Sequence, residues 1–169
     1  SIEHGTALTE EAISLMLKKH VPVIFTLSAL YNIENKGVNS GLSKSIFDKA
    51  LLYKPRRQES IIMAQNAGVI ISMGTDAGTP FNLHADNSGE LARLVEVGYS
   101  PAQNLTAATG IAAEVLGLEK YLGTIKEDKL ADLIVVEGNP LENITLLNNK
   151  QSIKLIMQSG KFVQKTEMG

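Results

Sequence analysis

Apolar residues are spaced along this chain in two rhythms, and their alternation predicts the order of its elements. Ile13, Met16 and Leu17 recur at i, i+3 and i+4, one face of a helix over 10–19. Thr9 is placed as its N-cap, with Leu8 and Ile13 at the staple positions on either side. Glu10 and Glu11 in the first turn, and Lys18 and Lys19 in the last, complement the helix dipole, and Pro22 forbids continuation. Apolar runs at 22–29 and 69–75 read as buried strands, and "SIEHG" at 1–5 as a short one.

Between the second and third strands the pattern gives a polar connection over 32–43 and an amphipathic helix near 43–53, carried by Ile46, Ala50 and Leu51. Pro55 breaks that helix, and another follows over 56–67 with Ile61, Ile62 and Ala64 as apolar positions and Gly68 as its stop. After a loop at 76–87 a helix covers 88–97, capped by Asn87 or Ser88, with Glu90 three residues beyond Asn87. Ser100 as N-cap and Pro101 at N1 open the next helix. Leu105, Ala108, Ala112, Val115 and Leu116 form its apolar face, and Gly117 closes it. Beyond about 118 the texture becomes β-rich without helices between strands: a run at 133–136, then two strands within 153–165 around Ser159 and Gly160. The chain thus divides into an α/β layer, 1–118, and part of a separate β module, 119–169.

Strand–helix alternation implies parallel βαβ units with right-handed crossovers. Three such strands do not close a barrel, which takes roughly 250 residues. An open sheet of three would leave wide apolar faces, and "IEH" at 2–4 already reads as a strand in mid-architecture with nothing before it to pair with. The alternative is the last three βα units of a TIM (β/α)8 barrel whose first five are absent.

Composition narrows the classes. The chain has 169 residues, 44% hydrophobic and 20% charged, a globular balance. Its 16 basic and 18 acidic residues give a net charge of −2 with no basic stripe, so nothing points to nucleic acid. The longest apolar run, 21–30, contains Pro22 and is too short to span a bilayer, and the first residues lack the features of a signal peptide. The absence of cysteine removes disulfides and thiolate metal sites and fits a cytoplasmic protein. "NLT" at 104–106 and "NIT" at 143–145 match the glycosylation pattern, but the first lies in a predicted helix and no secretion signal is present.

Candidate chemistry gathers at strand ends. His4 ends the first strand and Asp76 the third, at the carboxyl ends where α/β folds place their sites. His4 shares strand parity with Ile2 and is expected to point to the core side; Asp76, in "GTDAG", reads equally as a turn residue. Imidazole and carboxylate together suit Zn²⁺, whose bound water has a lowered pKa and passes its proton to a neighbouring carboxylate. Two ligands do not complete a site. His84, on the loop after the third strand, is either a further candidate or a plain loop residue, and His20 is a surface cap after two lysines.

"SIEHG" (1–5), "GTDAGTP" (74–80), "LTAATGIAAEVLGL" (105–118), "LGTIKEDKLADLIVVEGNPLENI" (122–144) and "SGKFV" (159–163) occur in this order. The series resembles the C-terminal end of amidohydrolase-superfamily enzymes, in the Xaa-Pro dipeptidase, arginine carboxypeptidase and imidazolonepropionase-like branch. The resemblance implies that His4 is the strand-6 metal-binding histidine. It implies that Asp76 is the strand-8 aspartate, which binds metal and shuttles the proton from attacking water to leaving amine, and that His84 faces substrate. The tail corresponds to half of a small β-sandwich flanking the barrel. The family's strand-1 His-x-His, strand-4 lysine and strand-5 histidine have no counterpart here, and Asp128 replaces a customary glycine.

The resemblance therefore implies the C-terminal portion of a zinc-dependent hydrolase of C–N bonds, acting on a dipeptide or cyclic amide and inactive as this chain alone. Its rivals are a non-catalytic remnant working by oligomerisation or pairing with an N-terminal part, and a small α/β binding domain. The first rival rests on unpaired strand edges and apolar faces, which invite association.

Overall fold

The computed structural model describes residues 1–37 and 41–165. Three short strands, β1 (Ile2–Glu3), β2 (Val23–Phe25) and β3 (Ile71–Met73), form a parallel sheet in the order β1-β2-β3. Val23 stands opposite Ile2 on one side and Ile71 on the other. Helix α1 (Glu10–Lys19) connects β1 to β2, and α2 (Leu27–Lys36) and α3 (Lys44–Ala67) connect β2 to β3. The α/β expectation holds, built on fewer strand residues than the apolar runs suggest.

Helix α1 follows its pattern closely. Thr9 Oγ1 accepts the Ala12 N–H at 3.2 Å, and Ile13 and Met16 are buried while Leu17 is exposed. His20 ends the helix in a left-handed conformation and is exposed, as a surface cap should be. The main core joins Ile13 and Met16 to Val23, Phe25, Ile61, Val69, Ile71 and Leu94, and Leu8 packs against it. Val23, Phe25, Ile61 and Leu94 are fully buried, each removing apolar surface worth about 1.5–3 kcal/mol.

Four expectations need correction. Residues 27–36 are helical, where the apolar pattern predicts a strand tail and a polar connection; residues 38–40 of that connection lie outside the described residues. The reason is a cap from far along the chain, Glu90, described below. Second, Pro55 does not break its helix, and α3 runs through it for 24 residues. Proline withholds the N–H that the Leu51 carbonyl would take, a cost of about 3 kcal/mol. Packing on both sides offsets it. Ala50 before Pro55, and Ser60, Ile61 and Ala64 after it, are buried. Lys54 and Arg57 grip the buried Glu34 of α2 at 3.1 and 2.9 Å.

Third, the helix expected to run from 101 to Gly117 is two: α5 (Pro101–Ala108) and α6 (Gly110–Val115), divided at Thr109 (φ −127°, ψ −84°). Ser100 and Gln103 do form the expected N-terminal cap, reciprocally. At the division Gly123 presses so close that a methyl group there would meet the Thr109 carbonyl at 2.8 Å. Leu116 is exposed rather than on the apolar face. Fourth, Ile2 is 40% exposed and His4 takes φ +68°, so strand parity does not orient His4.

Helix α4 (Ser88–Glu96) precedes α5 and leads, through a second cluster of Leu91, Ile144 and Leu147, to an antiparallel sheet. That sheet is β4 (Leu133–Val136), β5 (Ile153–Gln158) and β6 (Lys161–Lys165), in the order β4-β5-β6. Ser159 and Gly160 make the left-handed two-residue turn between β5 and β6. Two 3-10 turns, Ile144–Asn148 and Lys150–Ser152, interrupt the tail where no helix is expected, each opened by an asparagine side chain, Asn143 and Asn149. Asp128 sits at φ +66°, a left-handed conformation that glycine adopts most readily. Residues 166–169 of the β module lie outside the described residues.

Candidate functional site

The carboxyl ends of the three parallel strands lead directly into His4, Thr26 and Gly74-Thr75-Asp76. The His4 N–H continues the ladder to the Ile24 carbonyl at 2.9 Å, and the Gly74 N–H reaches the Phe25 carbonyl at 2.9 Å. His4 and Asp76 then leave the sheet in left-handed conformations, φ +68° and +55°. Both line one cavity of about 210 Å³, together with Thr6, Thr26, Thr79, Pro80 and the Ala29, Leu30 and Ile33 face of α2. His4 Nδ1 lies 2.8 Å from Thr26 Oγ1, which leaves Nε2 for a ligand.

Glycine is required beside both residues. A methyl group on Gly5, at φ +54°, would stand 2.7 Å from the Phe25 ring and 2.8 Å from Val23. One on Gly74 would stand 2.6 Å from Ile24. The sheet is packed so tightly at this end that only a bare backbone passes.

His84 does not line the cavity. It is exposed and lies over Gly78, its Nε2 3.5 Å from where a β-carbon of Gly78 would be. Asn82, two residues earlier, is 2% exposed between the exposed Phe81 and Leu83. Its amide donates to the Thr75 carbonyl at 2.6 Å, the Asp76 carbonyl at 3.0 Å and Thr79 Oγ1 at 3.2 Å. Sequence reasoning passes over Asn82 because nothing local distinguishes it from an ordinary loop asparagine.

Glu90 stands in sequence where it would cap its own helix, but Asn87 caps nothing with its side chain and Glu90 points elsewhere. It is fully buried. Its carboxylate accepts the Leu27 N–H at 2.6 Å, the Ser28 N–H at 2.7 Å and Ser28 Oγ–H at 2.6 Å. These include the unpaired backbone donors at the start of α2. Thr26, the residue placed to cap that helix, makes no side-chain cap and stands against His4 instead. Desolvation pushes the Glu90 carboxyl above the ordinary range, opposed by the Ser28 and Leu27 hydrogen bonds and the Arg93 charge.

Arg93 extends this network. It donates to Ser28 Oγ and Asn32 Oδ1, both at 3.0 Å, and stacks 4.3 Å over the Tyr31 ring. Asn32 in turn donates to the Phe81 carbonyl at 3.0 Å. The α2 helix and the loop bearing Asp76 are therefore tied together. Asn104 of the first glycosylation-like triplet is fully buried and donates to the Leu91 carbonyl, a structural role.

Two donors of the kinds that bind zinc thus share one cavity, an imidazole and a carboxylate. Among the described residues no group of three or more His, Cys, Asp or Glu side chains is placed to hold a metal. His4 and Asp76 fit part of a metal centre and not a whole one. By itself the arrangement offers an exposed carboxylate that can take and return a proton, and an imidazole oriented by a hydroxyl. No helix among the described residues is long and apolar enough to cross a membrane.

Known proteins resemble this chain over its whole length. It is 30% identical over 173 residues to ochratoxinase from Aspergillus niger, an alignment covering all of this chain and 35% of that enzyme. It superposes on a prolidase solved with N-methylphosphonate-L-proline at a TM-score of 0.88 and 31% identity, covering 98% of this chain and 40% of the other. A Xaa-Pro dipeptidase with methionine bound in its active site gives 0.86 and 33%, covering 96% and 39%. The chain thus spans about 35–40% of the length of these relatives. The model of the amidohydrolase family, whose members are generally metal-dependent, matches residues 1–163. On that match, with a histidine and an aspartate at the strand ends where the fold places chemistry, the chain belongs to the amidohydrolase family.

Proposed function

We propose that this chain is the C-terminal portion of a hydrolase that cleaves a C–N bond in a dipeptide or related amide. One observation carries the reading: His4 and Asp76, from different strands, line the same cavity at the carboxyl end of a parallel sheet. The prolidase and Xaa-Pro dipeptidase likenesses support the substrate class. Residues 1–118 correspond to the last three βα units of a (β/α)8 barrel, and 119–169 to part of its flanking β-sandwich.

In this reading Asp76 takes a proton from the attacking water and delivers it to the departing amine. His4, held by Thr26, presents Nε2 to the site, and His84, on the loop after β3, faces the substrate from outside the cavity. Zinc would be held by His4 and Asp76 with ligands from outside this chain, and it would supply an activated water and a polarised carbonyl. In this reading the chain alone is inactive and works by pairing with the polypeptide that carries the other ligands; that two donors share the cavity, and no group of three among the described residues, supports it.

The test joins this chain to the barrel portion of a prolidase relative. Zinc-dependent dipeptide hydrolysis that is lost in D76N supports the reading. Hydrolysis unaffected by D76N, or none by a folded fusion, counts against it. A second reading, a non-catalytic partner-binding module, draws on the exposed Ile134, Val135 and Val163 of the second sheet. It predicts assembly without zinc, read by light scattering.

A further inference from the structure

The geometry points to Asn82 as the residue that sets the direction of Asp76, a positioning role that deepens the proposed hydrolase site and rests on it for its functional consequence. The backbone direction of a residue is decided by the two peptide planes that flank its α-carbon. The plane before Asp76 carries the Thr75 carbonyl, and the plane after it carries the Asp76 carbonyl. The Asn82 amide donates to both, at 2.6 and 3.0 Å. One side chain thus holds both planes and with them φ and ψ of Asp76.

The held conformation is one that Asp76 would not keep unaided. Its φ is +55°, a region costly for residues with a β-carbon, though less so for aspartate than for most. Such a conformation persists where surrounding bonds over-determine it. Here they do. Thr79 adds its hydroxyl and its N–H to the Asp76 carbonyl at 2.9 and 3.4 Å. The Gly78 N–H bonds back to the Asn82 carbonyl at 2.8 Å, and the Asn82 N–H to the Thr79 carbonyl at 3.0 Å. From outside the loop, Asn32 of α2 pins the neighbouring Phe81 carbonyl.

A further sign is burial. Asn82 is 2% exposed in a loop whose other residues are mostly open to solvent, so its amide is committed to these carbonyls rather than to water. Were the amide absent, Asp76 would relax toward an ordinary negative φ, and its carboxylate would swing away from the cavity it shares with His4.

The test uses the 169-residue chain and two substitutions, N82D and N82A. N82D keeps the shape but sets carboxylate oxygens against carbonyl oxygens at neutral pH; N82A serves if N82D does not fold. Backbone couplings and α- and β-carbon shifts of Asp76, read by NMR, report its φ without reference to activity. The expected result is a left-handed Asp76 in the natural chain, lost in the variants, with Gly78 amide exchange about tenfold faster or more. An Asp76 that stays left-handed in both variants overturns the inference. In the fusion enzyme N82D lowers kcat by about tenfold or more at unchanged KM, since small misplacements of a reacting group are costly. An unaltered kcat with a displaced Asp76 overturns the functional consequence, the role of Asp76 in the proposed hydrolysis, while the NMR result upholds the positioning. If the unsubstituted fusion is inactive, the hydrolase reading fails, while the NMR result still decides whether Asn82 positions Asp76.

Discussion

Thr26 Oγ1 stands 2.8 Å from Nδ1 of His4, across two neighbouring strand ends. Thr26 also begins α2, where a threonine would normally cap the helix, yet it makes no such bond. Its hydroxyl serves the imidazole, and Glu90 takes over the capping from α4.

From that division of labour T26V is expected to leave the fold intact. Its effect should fall on His4, whose Nδ1 loses its partner. Nitrogen shifts of the imidazole are expected to show one dominant tautomer in the natural chain and a mixture in T26V. The thermal midpoint should move little, because a hydrogen bond at an exposed site contributes only about 0.5–1.5 kcal/mol.

Replacing Glu90 should be far costlier. E90A leaves two helix-start N–H groups and the Ser28 hydroxyl without their buried acceptor and removes the negative charge near Arg93, a loss of roughly 3–5 kcal/mol by denaturant unfolding. E90Q is milder and exposes a pH effect. Because burial raises the folded-state pKa of Glu90 above its ordinary value of 4.5, the folded chain holds this proton more tightly than the unfolded one. Stability contributed by the protonated form is complete below 4.5 and is lost as pH rises toward the folded value. The stability of the natural chain relative to E90Q should therefore decline as pH climbs from 4.5. A gap that widens instead would show the hydrogen bonds outweighing desolvation.

Gly5 tests the packing behind His4. G5A puts a methyl group against the buried Phe25 and Val23 in a left-handed conformation. The expected cost is about 2 kcal/mol, or a midpoint lowered by about 4–8 °C. G74A presses instead on Ile24 and Thr26, so the His4 resonances should shift with it. Unchanged His4 signals in a folded G74A would argue against a rigid link between these strand ends.

The purified chain, supplied with zinc and dipeptide, should release no amino acid above the uncatalysed rate. Sustained zinc-dependent release that disappears in D76N would refute the proposed dependence on outside ligands. Calorimetry should find zinc held weakly, since two donors are placed where a catalytic site needs three and a water.

What the sequence determined by itself is local in its physics. The α1 helix, with Thr9, Ile13 and Met16, follows from side-chain period and a cap three residues away. The strand ends at His4 and Asp76 follow from apolar runs meeting glycine, and the motifs around them carried the family. What only the tertiary structure decided involves partners that no local period pairs, most of them distant in the chain. Glu90 makes 27–36 a helix from across 62 residues or more. Buried contacts carry α3 through Pro55, and the helix after Ser100 divides at Thr109, where Gly123 packs closely against it. Asn82 turns Asp76 toward the cavity with bonds that no periodicity records. Periodicity reports which face of an element meets the core. It is silent on which buried donor meets which acceptor, because that is settled only when the elements pack and water is excluded from between them.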